Sequence, residues 1–459
     1  MRHKKMFIIG IVFVVAAVLG AGAIWLWVSQ KNMSTVTDNV LEGTTVSAGN
    51  ATAGEETLSD IGAVVAAVGS EKDTTGDEGA PEEGITGESV ASEKNAVGAN
   101  TVAAEAAVSQ TADATTEAAP TEKTTAPRIP VKGIYVTGPT AGSQAMDKLL
   151  TLVDETELNT MVIDVKNDEG QITYQMDAKA VQELGACTAY ITDMDALMAK
   201  LKEHNVYTIA RIICFKDPCL AQGRPELALK KPDGTPVTDA YGLAWVNPCK
   251  TEVWEYLTEV ALAAAADGFD EIQYDYVRFP IGKDADAADY GVPMESDTKQ
   301  KTITGFLTYA AEKLHDKDIV LTADVFGTII GNDEDAGRVG QDYRILGETV
   351  DVLCPMVYPS HYGNGVFGYN VPDAEPYGTV YEALKDSVEA LEPCKEQERA
   401  VVRPWLQAFT ATWVDGHISY GGEQIRQQIQ AVYDAGYEEW ILWNAANRYS
   451  ADGLLTEQE

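Results

Sequence analysis

Short runs of β-branched and other apolar residues alternate with helical patterns from Arg128 to the end of the chain. Strand and helix repeated in this order are typical of a parallel sheet covered by helices. We predict eight strands, at residues 131–136, 160–165, 207–215, 271–276, 319–325, 350–357, 400–407 and 439–444. We predict helices at residues 145–155, 193–204, 251–266, 298–315, 340–346, 380–391 and 423–435, and a hairpin at 171–176.

Eight strand–helix units within one domain favour a closed (β/α)₈ TIM barrel over an open doubly wound sheet. An open sheet that binds a dinucleotide has a glycine-rich turn after its first strand, and none follows residues 131–136 here. The predicted fold class is therefore α/β, with a (β/α)₈ barrel over residues 128–459.

The N-terminal segment, residues 1–28, predicts a transmembrane signal anchor. Basic residues at positions 2–5 precede an apolar run at 6–28, which is long enough to cross a bilayer as a helix. The alternative is a cleaved signal peptide, because Ala21-Gly22-Ala23 resembles a cleavage site. In both cases we expect the barrel domain outside the cytoplasm, on the cell membrane or secreted.

Residues 29–127 predict a disordered acidic linker. The stretch contains no aromatic residue and consists mainly of Ala, Thr, Gly, Ser, Glu and Asp. Such a composition buries too little apolar surface to offset the entropy lost on ordering.

Net charge limits the classes of partner, and cysteine usage limits the possible disulfides and metal sites. A formal net charge of −37 argues against nucleic acid, which needs a basic face, and is compatible with neutral or cationic material.

The six cysteines permit disulfides in an exported protein, and a bridge among Cys214, Cys219 and Cys249 is conceivable, whereas Cys354 lies in an apolar strand. With no Cys-x-x-Cys pair and five scattered histidines, we predict no metal and no cofactor. The sequence leaves the oligomeric state open.

The late positions of the predicted strands carry the candidate chemistry, because barrel active sites lie at the carboxyl ends of the strands. Alternation places Asp164 and Lys166 on one face of the second strand, and turns Asp275 and Asp324 inward on the fourth and fifth. Two inward carboxylates on adjacent strands are the minimum equipment for glycoside hydrolysis.

The structural alternative is that each aspartate caps a loop or pairs with a base such as Arg211 or Arg278. Carboxylates gathered in one mouth repel one another and raise a pKa, which structure alone seldom requires. If either carboxylate is turned outward or locked in a buried ion pair, the hydrolase assignment fails, and an exported barrel of unknown purpose remains.

Further polar and aromatic residues suit sugar recognition by stacking and hydrogen bonding. Tyr358 and His361 follow the sixth strand, and alternation puts Arg403, Trp405 and Gln407 on one face of the seventh. Alternation cannot turn both Trp443 and Asn444 inward, and Trp443 is as compatible with core packing as with binding.

Several segments resemble a family of glycoside hydrolase domains first described as a domain of unknown function. The similar segments are Val162-Ile163-Asp164-Val165-Lys166-Asn167-Asp168-Glu169-Gly170, Trp245-Val246-Asn247-Pro248, Gly268-Phe269-Asp270-Glu271-Ile272-Gln273-Tyr274-Asp275-Tyr276-Val277-Arg278-Phe279-Pro280 and Cys354-Pro355-Met356-Val357-Tyr358-Pro359-Ser360-His361-Tyr362. The resemblance extends from about Ile129 to the C-terminus, and the segment around Asp275 is its most specific part.

The resemblance implies a barrel distantly similar to those of the α-amylase and α-galactosidase superfamilies. It implies that Asp275 is the catalytic nucleophile and that Asp324 is the acid/base, where the amylase group usually has Glu. The amylase Arg-x-Asp spacing is absent, because Gln273 stands two residues before Asp275.

We therefore expect a glycosidase, of the retaining type, that acts on an external polysaccharide or oligosaccharide through Asp275 and Asp324. The expected substrate-binding residues are Asp164, Lys166, Arg211, Asn247, Arg278, Tyr358, His361, Arg403, Trp405, Gln407 and Asn444. The alternatives are a carbohydrate- or wall-binding barrel without turnover, and an exported barrel with other chemistry, such as a lyase or a metal-assisted hydrolase.

Overall fold

A computed structural model describes residues 123, 124, 126, 128–396 and 398–456. The predicted membrane anchor at 1–28 lies outside these residues, as does the predicted linker at 29–127 apart from three positions. Within the described part of the chain, no helix combines the length and apolar character needed to cross a membrane.

The described residues form a closed parallel barrel of eight staves. Its strands are β1 Lys132–Val136, β2 Thr160–Lys166, β5 Tyr207–Ile213, β6 Glu271–Asp275, β7 Val320–Phe326, β8 Val352–Met356, β9 Val401–Val402 with β10 Trp405–Gln407, and β11 Trp440–Trp443. The order around the barrel is β1, β2, β5, β6, β7, β8, β9/β10 and β11, and β1 pairs with both β2 and β11. The predicted (β/α)₈ barrel is confirmed.

Two short strands extend the sheet beside β2. Strand β3, Ile172–Tyr174, runs antiparallel to β2, and β4, Cys187–Ile191, runs parallel to β3. The hairpin predicted at 171–176 is confirmed, whereas β4 is an addition that the sequence pattern does not predict.

Helices connect the strands and cover the barrel. Their bounds are Gly138–Ala141, Ala145–Glu155, Lys179–Leu184, Met194–Glu203, Pro218–Gly223, Thr251–Ala266, Lys283–Asp286, Ser296–His315, Asp333–Val339, Tyr343–Thr349, Pro376–Leu391 and Gly422–Asp434. Single 3₁₀ turns lie at Gly327–Ile329, Pro359–His361, Val366–Gly368, Pro372–Ala374 and Ala451–Gly453.

The prediction of one helix at 340–346 is wrong, because Gly340 separates two helices. Its left-handed φ of 79° ends helix Asp333–Val339. The Asp342 side chain then accepts a hydrogen bond from the Ile345 amide and begins helix Tyr343–Thr349.

The stave formed by β9 and β10 is interrupted at Arg403 and Pro404. Val401 and Val402 pair with β8, and pairing resumes at Trp405. Proline has no amide hydrogen to donate, so the ladder cannot continue through Pro404.

All six cysteines are free thiols, so the bridge considered among Cys214, Cys219 and Cys249 is not formed. Cys354 is fully buried, as its apolar strand predicts.

A buried charge cluster closes the amino-terminal end of the barrel. The Arg403 guanidinium donates to Glu271 Oε1 at 2.5 Å and Oε2 at 3.2 Å, and to Glu439 Oε2 at 2.8 Å. Glu271 begins β6 and Asp275 ends it, about 13 Å away at the usual rise per residue. Arg403 therefore lies at the end of the barrel opposite the mouth, and the sugar-binding role predicted for it does not fit this position.

We expect Arg403→Met to lower the free energy of unfolding by about 3–5 kcal/mol, because buried Glu271 loses its counter-charge and Glu439 keeps only Arg128. Urea denaturation followed by near-ultraviolet circular dichroism measures this loss. Arg344→Ala is the matched control: its ion pair with Glu348 is solvent-exposed, and we expect a loss of at most about 1 kcal/mol. Equal losses in the two variants would contradict the assignment of Arg403 to a buried structural cluster.

Candidate active site

One guanidinium joins two carboxylates at the carboxyl ends of β2, β5 and β6. Arg211 Nη1 donates to Asp164 Oδ1 at 2.7 Å. Arg211 Nε and Nη2 donate to Asp275 Oδ2 at 3.0 and 2.5 Å. Because β5 lies between β2 and β6, Arg211 reaches a carboxylate on each side of its own strand. Asp275 is thus held in a buried ion pair with Arg211, as the structural alternative anticipates.

The backbone after Asp275 turns back to hold the same carboxylate. Tyr276 has a left-handed φ of 49°, which is uncommon for a residue with a side chain. In this conformation its amide donates to Asp275 Oδ1 at 2.6 Å. Such backbone conformations cost about 1–3 kcal/mol and concentrate at functional sites. Both oxygens of Asp275 therefore have donors, and its position is fixed.

Asp164 is bound by Arg211 and by an aromatic wall. The Tyr135 hydroxyl donates to Asp164 Oδ2 at 2.5 Å, and Tyr135 stacks on Trp443 with ring centroids 4.0 Å apart. The Arg211 guanidinium lies 5.4 Å from the Tyr135 ring and 5.1 Å from the Trp443 ring. Burial raises the pKa of Asp164 to about 6, against the opposing effects of Arg211 and Tyr135.

Asp324 lies deeper in the mouth and is bonded asymmetrically. Its Oδ1 accepts hydrogen bonds from Gln273 Nε2 at 2.9 Å and from Trp405 Nε1 at 2.7 Å. Its Oδ2 is buried and has no hydrogen-bond partner among the described residues. Burial raises the pKa of Asp324 well above its usual range, and the negative charge of Asp275 adds to this rise. An oxygen without a partner and a raised pKa are the features of a carboxyl group that acts as a proton donor.

Tyr358 and His361 stand beside these carboxylates. Tyr358 is buried, and besides burial the charges of Asp324 and Asp275 raise its pKa, so the hydroxyl remains neutral. The His361 ring packs edge-on against Tyr358 at 5.2 Å, and Ser360 Oγ lies 2.9 Å from His361 Nδ1. Burial lowers the pKa of His361 to about 3, so His361 is a neutral hydrogen-bonding group here.

Other predicted sugar-binding residues hold the loops around the mouth. The Lys166 ammonium pairs with Asp217 at 2.9 Å and donates to the Ile213 carbonyl at 2.6 Å. Asn247 Nδ2 donates to the Tyr290 carbonyl at 3.1 Å. Both side chains are buried and already engaged, which favours a structural role.

The same applies to three further residues. Gln407 Nε2 donates to Asp373 Oδ1 at 2.9 Å, and Asn444 Nδ2 donates to the Ala408 carbonyl at 2.6 Å. The Arg278 guanidinium packs among aromatic rings, the Trp245 ring being 4.9 Å away. These contacts position the loops that carry Tyr358 and the aromatic residues near it.

Comparison with known proteins decides the family. Residues 133–449, more than half of the chain, match the model of a family described as "Putative glycosyl hydrolase domain". The chain belongs to this family. The resemblance drawn from the sequence is therefore confirmed, and the matched segment includes every carboxylate described above.

The chain of this glycosyl hydrolase family member is also similar to solved structures, and the first one below shares its barrel fold. The glycoside hydrolase domain of PgaB (BpsB) from Bordetella bronchiseptica is 14% identical, with a TM-score of 0.50, over 69% of this chain and 94% of that one. A hypothetical protein from Ruminiclostridium thermocellum is 37% identical over 42% of this chain and 97% of that one, with a TM-score of 0.38. An α-galactosidase from Thermus thermophilus in complex with stachyose is 15% identical over 73% and 64%, with a TM-score of 0.43. No curated protein matches the chain.

Three residues of the mouth are not among the predicted substrate-binding residues of this glycosyl hydrolase domain. Tyr135, Gln273 and Trp443 each contact a carboxylate or Arg211. Strand alternation could have predicted Gln273 as an inward residue, since it shares a face of β6 with Asp275. Alternation also requires that only one of Trp443 and Asn444 faces inward. In the structure this residue is Trp443, whose ring contacts Arg211. Tyr135 carries a weaker signal: it is an aromatic residue late in β1.

No group of three or more His, Cys, Asp or Glu side chains in the described ranges is arranged to hold a metal ion. The mouth instead contains three carboxylates and the guanidinium of Arg211.

We expect Asp324 to be a protonated carboxylic acid at pH 7, visible as a carboxylic C=O band in infrared difference spectra that is absent in Asp324→Asn. Trp405→Phe should raise the pKa of Asp324 further, because the indole hydrogen bond lowers it. Asp147→Asn, at a solvent-exposed ion pair with Lys200, is the control and should leave the band unchanged. A wild-type spectrum without this band at pH 7 would show that Asp324 is ionised and contradict the prediction.

Proposed function

We propose that the barrel is a glycoside hydrolase in which Asp275 is the nucleophile and Asp324 the acid/base. The single observation that carries the proposal is the unequal environment of these two aspartates. Three N–H donors surround Asp275, an arrangement that suits a carboxylate. Asp324 is buried with one unpartnered oxygen, an arrangement that suits a proton donor. Glycoside hydrolysis uses one carboxyl group of each kind.

The hydrogen-bonding pattern assigns an oxygen to each step. Asp324 Oδ2 donates its proton to the glycosidic oxygen as the bond to the leaving sugar breaks. Asp275 Oδ1 accepts the Tyr276 amide bond with one lone pair and uses its other lone pair for attack on the anomeric carbon, whereas Oδ2 accepts two bonds from Arg211. Asp324, now ionised, then takes a proton from the water that hydrolyses the glycosyl–enzyme bond.

The remaining groups of the mouth orient the sugar in this proposal. Asp164 and Arg211 offer charged hydrogen-bonding partners for hydroxyl groups, and Tyr358 and His361 offer neutral ones. Trp405 positions Asp324 through its indole N–H. The acidic chain favours a neutral or cationic polysaccharide over an anionic one.

One observation favours a second candidate, a barrel that binds carbohydrate without turnover. Both oxygens of Asp275 are occupied, and Asp275 and Asp324 expose only 4% and 1% of their surface. Against this candidate, Arg211 is shared by Asp164 and Asp275, so one positive charge does not neutralise both carboxylates. We therefore prefer hydrolysis, and the variants below separate the two candidates.

The proposal places the barrel outside the cytoplasm, tethered to the membrane or secreted. Its support is the basic residues at 2–5 and the apolar run at 6–28. Protease treatment of intact cells should remove the barrel domain of a membrane-tethered protein and spare a cytoplasmic marker.

We expect Asp275→Asn and Asp324→Asn each to lower kcat by at least about 10²–10⁴-fold, because each removes a group that reacts in the transition state. Reducing-sugar release from chitosan, chitin, cellulose, starch and galactomannan measures the loss, with anionic pectin included as a test of charge preference. Asp147→Asn should keep wild-type activity.

The outcomes separate the candidates. Binding to one of these polymers without any product from the wild-type chain would support the non-catalytic barrel. Unchanged hydrolysis by Asp275→Asn would rule out the assigned nucleophile.

We expect the first product to keep the anomeric configuration of the substrate, because attack by Asp275 followed by attack of water inverts the centre twice. Proton NMR of the anomeric signals, recorded on a cleaved polymer before mutarotation, decides this point. An inverted first product would make Asp275 the base that activates water.

A further inference from the structure

A row of three aromatic side chains leads from the carboxylates to the surface. Tyr358 follows β8 at the mouth, where the charges of Asp324 and Asp275 act on its hydroxyl, and it packs edge-on against Phe409 with centroids 6.0 Å apart. Phe409 in turn stacks on Trp413, at 6.0 Å and with 22° between the ring planes. The exposed fraction rises along the row, from 1% for Tyr358 to 51% for Trp413.

The loop that carries Trp413 is held in place by its own hydrogen bonds. The Tyr420 amide donates to Thr410 Oγ1 at 3.0 Å, which closes the base of the loop. The Ile418 amide donates to Asp373 Oδ2 at 3.3 Å, which joins this loop to the one after β8. Trp413 therefore stands on a preorganised loop.

A close backbone approach supports the same conclusion. Gly416 has a left-handed φ of 84°, and a Cβ atom there would lie 3.0 Å from Val371 Cγ2. The loop thus fits closely against the neighbouring loop, in a conformation that favours glycine.

Exposure of a tryptophan on an ordered loop leaves a large apolar surface in water. Its ring is supported by Phe409 on one side, while half of its surface faces solvent. The apolar face of a pyranose ring matches such a surface, and this contact does not depend on charge, so the acidity of the chain does not oppose it.

We propose that Trp413 is a stacking platform for a sugar ring of the polysaccharide that lies outside the scissile linkage. The Tyr358–Phe409–Trp413 row then marks the path of the polymer from the carboxylates across the loop after β10. The protein consequently prefers chains of several sugars over disaccharides. This inference rests on the proposed function for the nature of its ligand.

The test uses the full chain carrying Asp275→Asn and Asp324→Asn, so that bound oligosaccharides are not cleaved. Isothermal titration calorimetry measures binding of chitohexaose, cellohexaose and maltohexaose and of the matching disaccharides. Adding Trp413→Ala should weaken binding of the preferred hexasaccharide about three- to tenfold and leave its disaccharide unchanged.

Tyr377→Ala is the matched control. Tyr377 is also exposed and stacks on a second ring, Tyr381 at 5.9 Å, but it lies on helix Pro376–Leu391. We expect no change in hexasaccharide binding for this variant.

The outcomes distinguish failure of the Trp413 platform from failure of the proposed glycosidase function. Equal hexasaccharide affinity with and without Trp413, in a protein that hydrolyses or binds a glycan, overturns the platform alone. An equal loss in Tyr377→Ala and Trp413→Ala also overturns it, because the effect is then a general property of exposed rings. If the double variant binds none of these sugars and the wild-type chain cleaves none of them, both the platform and the proposed function are overturned.

Discussion

A single guanidinium facing three carboxylates in a nearly dry barrel mouth is the constraint on which the rest of the site depends. Arg211 bonds to Asp164 and Asp275, and both of these groups are 4% exposed. Arg211 is shared by these two groups, so the third carboxylate of the mouth has no cationic hydrogen-bond partner, and burial raises its pKa. That carboxylate is Asp324, whose bonded neighbours are a neutral indole and a neutral amide. Acid–base chemistry requires two carboxyl groups in different environments, and this difference follows from the sharing of Arg211 by Asp164 and Asp275.

The two ends of the barrel show how a buried cluster for stability differs from one for chemistry. At the amino-terminal end, both oxygens of Glu271 accept hydrogen bonds, from Arg403, Thr322 and Tyr207. At the mouth, Asp324 keeps one oxygen without a partner among the described residues. An unsatisfied buried polar atom costs about 1–3 kcal/mol, so a protein gains stability by removing it. Its presence at the carboxyl end, where barrel enzymes hold their substrates, favours function over stability as its reason.

The sequence predicts most of the barrel because strand alternation depends on local pattern alone. It predicts correctly that the side chains of Asp164, Asp275 and Asp324 enter one mouth. It cannot predict which of them Arg211 binds, because this depends on the register between β2, β5 and β6. Alternation places Arg403 on the inward face together with Trp405, which the structure confirms, but it does not give the height along the barrel, and the guanidinium pairs with Glu271 and Glu439 at the end opposite the mouth.

The ion pair between Arg211 and Asp275 weakens the hydrolase proposal less than its burial suggests. Arg211 is shared between Asp275 and Asp164, so neither carboxylate has this cation to itself. Burial raises the pKa of Asp164 to about 6 although Arg211 lowers it, so the ion pair offsets only part of the effect of burial on this carboxyl group. The left-handed turn at Tyr276 then fixes Asp275 Oδ1 with one bond rather than two. Arg211 holds Asp275 Oδ2 rigidly, and Oδ1 keeps a lone pair. Such a carboxylate is better suited to nucleophilic attack than to a purely structural role in the core.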